Sequence, residues 1–456
     1  MSLLPASTPV ARLRTGPIAS SGIRLVPEIP ICQTDLPLDW YQAEFKPYAE
    51  EYLALADRRP ETVLPWLDRY ALPALDHFGE SLLLLAHFYM GGEIVKLVER
   101  YGGKVADSYQ LALQAARNRD KKVIVESAVH FMAESIAILA ADDQAVWITN
   151  PKAGCTMEMM AKDWMVLPAA EQLLERYGGE VAVVAYMNTG GRLKALAGRT
   201  GGAVCTSSNA HLVVDRVRKQ GKKVFFVPDH HLGRNTAARL GMDLARVVAL
   251  PDPQIWSQHP KLDASSVPGG LAALDRAEMI LWGSFCGVHT IFTREHVEWW
   301  KAHGWRVLIH PESPIEAVQA ADGAGSTDYL WKQVMAAPAG SKLAIGTEGH
   351  FVRNAREQGR LRGVEVAHLA DIPDRKFASA GCGCATMSRN DPPHLAGMLD
   401  LLRKGTPPDV NRVLAGDAMN ELTAERDRLG EAERAELVRD ARLALERMIE
   451  IVESAS

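Results

Sequence analysis

The chain has 456 residues, 47% hydrophobic and 23% charged, with a net charge of −5 at pH 7. This is the composition of a globular protein long enough for roughly two to four domains; its balance of charge excludes a basic nucleic-acid footprint or a polybasic membrane patch. The longest apolar runs (SLLLLA, AVVAY, VFFV) fall far short of the roughly 18 residues that a membrane-spanning helix needs.

The first 27 residues contain Arg12, Arg14 and Arg24 and no acidic residue. They resemble a transit peptide in composition but lack its long apolar core, and read as a disordered start. Two helices are expected next, over QAEFKPYAEEYLALADRR and PETVLPWLDRYALPALDHFG. Together these stretches make an N-terminal extension, residues 1–77, with no evident chemistry.

A pattern then recurs three times, over 82–131, 181–231 and 305–351. Each copy opens with a β-rich run (LLLLA, VAVVAY, RVLI) that stops at a polar tip: His87 with Tyr89, Tyr186 with Asn188, His310 with Glu312. A helical period follows, then a second tip (Asp107-Ser108, Thr206-Ser207 or Ser326-Thr327) where serine and threonine occupy N-cap positions of a second helix. A basic turn leads to a third strand ending at Glu126, Asp229 or Thr347-Glu348. Strands alternating with helices at this spacing predict α/β architecture: three pseudo-symmetric, three-layer αβα domains with parallel sheets. We expect these at 78–168, 169–256 (with 257–290 a strand and cysteine-bearing loop linking on) and 291–404. In parallel sheets ligands gather beyond the carboxyl ends of the strands, so the polar tips are expected around one central site.

Each copy is followed by a strand-like run ending in cysteine: QAVWITNPKAGC at Cys155, AEMILWGSFC at Cys286, and KFASAGCGC at Cys382 or Cys384. One cysteine per repeat, each beside glycine, predicts a three-thiolate site on the axis. Six scattered cysteines are no disulfide framework and fit a reducing, cytoplasmic setting; Cys32 and Cys205 read as core filler. Three thiolates suit zinc with a fourth ligand, or an iron–sulfur cluster. The remaining stretch, 405–456, ends in TAERDRLGEAERAELVRDARLALERMIEIVE, an amphipathic helix whose apolar face (Leu437, Leu443, Leu445, Met448, Ile451) is expected to pack on the body.

The segments AHFYM, ADSYQLA, AGCTM, AYMNTG, VCTSSNA, PDHHLGRN, GSFCGVH, IHPESP, GAGSTDYL and CATM run in order from about residue 80 to 400. In these the chain resembles the quinolinate synthase family of NAD biosynthesis. The resemblance implies one [4Fe–4S] cluster per chain, acting as a Lewis acid on Cys155, Cys286 and Cys384, one cysteine from each domain. It implies condensation of iminoaspartate with dihydroxyacetone phosphate to quinolinate, with loss of phosphate and water, and coupling to an L-aspartate oxidase or dehydrogenase. Glu312 is expected to act as general base or acid, its pKa shifted by partial burial, with His310 and Tyr89 in proton transfer and carbonyl polarisation. His87, Ser108, Tyr186, Asn188, Ser207, His289, Ser326 and Thr327 are implied substrate contacts.

Cys384 is chosen over Cys382 because it precedes the x-x-Met that follows the family's ligand; the family's usual proline after that cysteine is Ala385 here. A non-catalytic metabolite-binding protein, or another iron–sulfur hydro-lyase, are the competing readings.

Overall fold

The computed structural model describes residues 21–23, 25, 35–90, 93–373, 383–420 and 425–455. Three parallel sheets carry the architecture. The first contains β1 (Leu82–His87), β2 (Lys104–Ala106), β3 (Val123–Ser127) and β4 (Ala145–Ile148) in the order β2-β1-β3-β4. The second contains β5 (Val181–Tyr186), β6 (Ala203–Cys205), β7 (Lys223–Val227), β8 (Val247–Ala249) and β9 (Met279–Leu281) in the order β6-β5-β7-β9-β8. The third contains β10 (Arg306–Ile309), β11 (Gly323–Ala324), β12 (Lys342–Gly346) and β13 (Glu365–His368) in the order β11-β10-β12-β13. Discounting the added edge strand β8, the three orders are the same.

Continuous apolar runs form these strands because helices cover both faces, so no position needs to meet water. Alternate residues of one strand therefore enter different apolar layers: Leu83 and Leu85 of β1 join one cluster, Leu84 and Ala86 another. The third sheet does the same, with Val307 and Ile309 on one side of β10 and Leu308 on the other.

Register fixes the equivalences. Ala86 pairs with Ser127, Ala185 with Val227, and Ile309 with Gly346. One residue beyond the first member come His87, Tyr186 and His310; two beyond the second come Val129, Asp229 and Glu348. Glu126 thus lies inside β3 and is not the partner of Asp229 and Glu348 that its place in the motif suggests. It points into the apolar layer, fully buried, and neither carboxylate oxygen has a hydrogen-bond partner.

Other expectations shift as well. The fourth strand of the third sheet is β13, upstream of the run KFASAGC; residues 374–382, that run and Cys382 included, lie outside the described residues, as does Cys32. Cys205 is wholly buried on β6. Of the segment read as a disordered start, residues 1–20, 24 and 26–27 lie outside the description. Within residues 21–23, Ile23 is buried and the Ser21 carbonyl accepts from Trp331 Nε1 at 3.1 Å.

The helices Lys46–Leu53 and Pro60–Phe78 pack on the helix Pro392–Lys404, where Tyr48 donates to Asp400 at 2.7 Å. The C-terminal helix Glu431–Ala455 lies along the helix Gly191–Arg199. Its buried face is Leu437, Ala441, Ala444, Leu445, Met448 and Ile449, whereas Leu443 and Ile451 are only partly covered. Arg447 donates to the carbonyls of Gly198 and Gly202 at 2.8 and 2.9 Å, and Arg442 donates to those of Ile138 and Ala140. Among the described residues, no helix is long and apolar enough to cross a membrane.

Candidate functional site

The carboxyl ends of the three sheets face one pocket. Its wall includes His87, Tyr89, Ser108, Tyr186, Asn188, Ser207, His289, His310, Glu312 and Thr327, together with Cys155, Cys286 and Cys384. Of the residues expected to be catalytic, substrate-binding or ligating, Ser326 alone is absent from the wall. It caps the helix Thr327–Ala336, its Oγ accepting from Tyr329 N at 3.4 Å.

The other capping expectations change. In the first unit Asp107, one residue ahead of Ser108, is the cap and accepts from Gln110 N at 3.0 Å. In the second, Thr206 and Ser207 form a turn, and the helix starts later, at Ala210. Ser108, Ser207 and Thr327 therefore keep their hydroxyls free of cap duty and line the pocket.

Glu312 is the centre of the polar network. Tyr186 donates its hydroxyl to Oε1, and His289 Nδ1 lies 2.8 Å from Oε2. Burial alone would raise this carboxyl, but His310, His289 and Tyr186 outweigh it and hold its pKa below the usual carboxylate range. Partial burial was expected to supply the shift. The neighbours reverse its direction, leaving Glu312 ionised.

His87 and His310 share one geometry. Each Nδ1 accepts the backbone N–H two residues on, from Tyr89 at 3.1 Å and from Glu312 at 3.4 Å. That bond fixes the proton on Nε2. Burial pushes His87 down to about 4 and His310 to about 3, so both are neutral N–H donors at pH 7. His310 Nε2 lies 3.2 Å from Ser207 Oγ. The phenols of Tyr89 and Tyr186 are pushed well above their usual value by burial and by Glu312, and both stay protonated. Asn188 Oδ1 is buried in this wall without a hydrogen-bond partner, an acceptor open to a ligand.

Thr347 was passed over as a single site residue, although its tip was noted. Its Oγ1 bonds Tyr89 Oη at 2.7 Å and His289 Nε2 at 3.1 Å, tying residues of two sheets to the linking loop. Glu348 beside it also lines the pocket. The signal was the third strand tip of each repeat, which carries Thr347 and Glu348 in one copy and Asp229 in another.

The three cysteines are free thiols, brought to this wall from one loop in each unit. Burial raises all three thiols, and in Cys155 and Cys286 the neighbouring cysteines raise them further. Three carboxylates (Asp107, Glu312, Glu348) share the lining, yet no lysine or arginine belongs to it among the described residues. A set of three thiols and three acids without a cation suits a positively charged metal centre. Ligating atoms of Cys286, His289 and Glu312 also lie within 4.8 Å of one another.

Comparison with known proteins gives the chain's family. Residues 75–425 match the family described as "Quinolinate synthetase A protein". A relative named "Quinolinate synthase" from Corynebacterium glutamicum is 36% identical over 392 residues, covering 85% of this chain and 88% of its own. One of the same name from Streptomyces coelicolor is 38% identical over 392 residues (85% and 93%), and one from Geobacillus kaustophilus 36% over 353 residues (76% and 88%).

Proposed function

The chain belongs to the quinolinate synthase family, and from that premise we propose that it condenses iminoaspartate with dihydroxyacetone phosphate to quinolinate, with loss of phosphate and water, in NAD biosynthesis. Cys155, Cys286 and Cys384 would hold a [4Fe–4S] cluster, leaving one iron without a protein thiolate. Such a cluster supplies a Lewis acid that polarises a substrate heteroatom and eases departure of hydroxide. The observation that carries this reading is one free cysteine from each of three equivalent units on a single wall that, among the described residues, has no lysine or arginine.

Within that reading the side chains have distinct duties. Glu312, held ionised, takes up protons; acting as an acid requires that it first receive one. Tyr89 and His310, both neutral, donate hydrogen bonds that polarise a carbonyl and return protons. His87 donates from Nε2 to a substrate carboxylate, and Tyr186 holds Glu312 in place. Asn188 offers its open Oδ1 to the substrate nitrogen. Phosphate is taken up by the hydroxyls of Ser108, Ser207 and Thr327, with the exposed N–H groups at the start of the ten-residue helix Thr327–Ala336. In this reading Ser326 contributes only the cap.

The test is metal analysis of anaerobically purified protein, joined to synthase assays. We expect about four iron and four sulfide per chain, and loss of both cluster and activity in Cys155→Ser, Cys286→Ser and Cys384→Ser. Full synthase activity in iron-free protein would overturn the proposal. The proximity of Cys286, His289 and Glu312 favours one alternative, a single metal ion on those three. Stoichiometric metal without sulfide, unaffected by Cys155→Ser, would support it instead.

A further inference from the structure

Strand register makes Val129, Asp229 and Glu348 equivalent, two residues past the paired ends of β3, β7 and β12. Asp229 and Glu348 are fully buried, and each does two things with its two oxygens. Asp229 Oδ1 caps its helix by accepting from Leu232 N at 2.6 Å, while Oδ2 accepts the backbone N–H of Cys286 at 3.0 Å. Glu348 Oε2 caps its helix through Phe351 N at 2.9 Å, while Oε1 accepts the backbone N–H of Cys384, also at 2.9 Å. We propose that Asp229 and Glu348 are positioning residues: each clamps one ligand cysteine's loop to a helix start through the cysteine's own N–H.

Capping alone does not account for an acid at these places. A serine caps the helix Thr327–Ala336 in the same unit, and a carboxylate beside a thiol repels the thiolate form. A carboxylate has the two acceptor oxygens that the double duty requires, and hydrogen bonds to a charged acceptor are the stronger kind.

The neighbourhood adds to each clamp. His230 N donates to Ser284 O at 2.9 Å, drawing the Cys286 loop against β7. His350 Nδ1 lies 2.6 Å from Glu348 Oε1, and a Cβ on Gly383 would collide with the His350 ring. Gly383, the residue before Cys384, therefore lies against the Glu348–His350 pair, and the absence of a side chain there is what permits that.

The equivalent position of the first unit carries no acid. Val129 fills the slot and offers no side-chain acceptor, and Cys155 is itself the residue preceding the short helix Thr156–Met159, its carbonyl accepting from Met159 N at 2.9 Å. Two of the three thiols are thus held from behind by an acid at this position, which in the first unit is a valine. That the clamps serve a cluster rests on the function proposed above; the clamps themselves do not.

The experiment uses Asp229→Asn and Glu348→Gln, which keep size and one acceptor oxygen but cannot serve both N–H groups. In the metal-free, reduced chain, iodoacetamide labelling is followed cysteine by cysteine by mass spectrometry. We expect Cys286 to label about tenfold faster in Asp229→Asn, and Cys384 about tenfold faster in Glu348→Gln. Cys155 should stay within about twofold of wild type in both. Gly383→Ala, which keeps both acids, should accelerate Cys384 alone.

Equal acceleration of all three cysteines means general loosening and overturns the proposal, as does no acceleration at all. In reconstituted protein, iron should pass to a chelator about tenfold faster from both acid variants; a rate equal to wild type also counts against the clamps. Protein that never takes up iron and sulfide removes the cluster reading, while selective labelling would still uphold the clamps.

Discussion

Glu312 joins three parts of the wall at once, through Tyr186 of the second unit, His289 of the linking loop and its own neighbour His310. Replacing it with glutamine keeps the shape and removes the proton acceptor. Turnover of Glu312→Gln should fall by about 10²–10⁴-fold, with iron and sulfide content unchanged; near-normal turnover would remove it from the chemistry. Glu126 gives a prediction of a different kind. Burial pushes its pKa up from 4.5 to about 8, with nothing to offset it. Between those values the folded chain keeps a proton that the unfolded chain has released, so stability declines as pH rises across that window. Glu126→Gln has no such cost. Between pH 5 and pH 8, urea unfolding should shift in favour of the variant by roughly 2–4 kcal/mol, and parallel pH profiles for both proteins would refute this. The sequence displayed Glu126, Asp229 and Glu348 as one motif. Separating the first from the others needed register, because motif spacing does not reveal a displacement of three residues along a strand.

At the scale of elements, the contact between the C-terminal helix and the helix Gly191–Arg199 is the most demanding packing. A Cβ on Gly198 would run into the carbonyl oxygen of Asp440. In an exposed helix Gly→Ala is favourable; here Gly198→Ala should destabilise the protein by about 1–3 kcal/mol, measured by thermal or urea unfolding. Leu445→Ala, on the buried face of the partner helix, should cost about 2–5 kcal/mol. Helices and strands with strong periodicity were legible, including both N-terminal helices and this C-terminal one. What escaped was short or displaced. β13 is four residues long, with Glu365 exposed and the other three buried, and it was overlooked in favour of a cysteine-bearing run downstream. The cap of the first unit moved to Asp107 because an aspartate one residue ahead of a serine competes for the same N–H groups.

Taken whole, the molecule builds its pocket only where three sheets meet, so no unit has the site alone. The polar tips and the spacing of the cysteines made that convergence legible, since equivalent positions of repeated units fall together when the units surround one axis. Their mutual contacts, such as Tyr89 with Thr347, join residues 258 apart in sequence and left no local trace. The proposed group, bound by cysteines of all three units, would also tie the units to one another. Removing iron anaerobically should therefore lower the melting temperature by a few degrees, and this difference should vanish in the variant with Cys155, Cys286 and Cys384 all replaced by serine. An equal melting temperature with and without iron would mean the units hold together unaided.

The described wall's lack of lysine and arginine bears on how the pocket holds an anion. Here the described wall offers an anion hydroxyls, the Asn188 amide, imidazole groups and backbone N–H groups, facing Asp107, Glu312 and Glu348. An anion in this pocket is therefore held by the number and placement of its hydrogen bonds rather than by a fixed positive charge beside it.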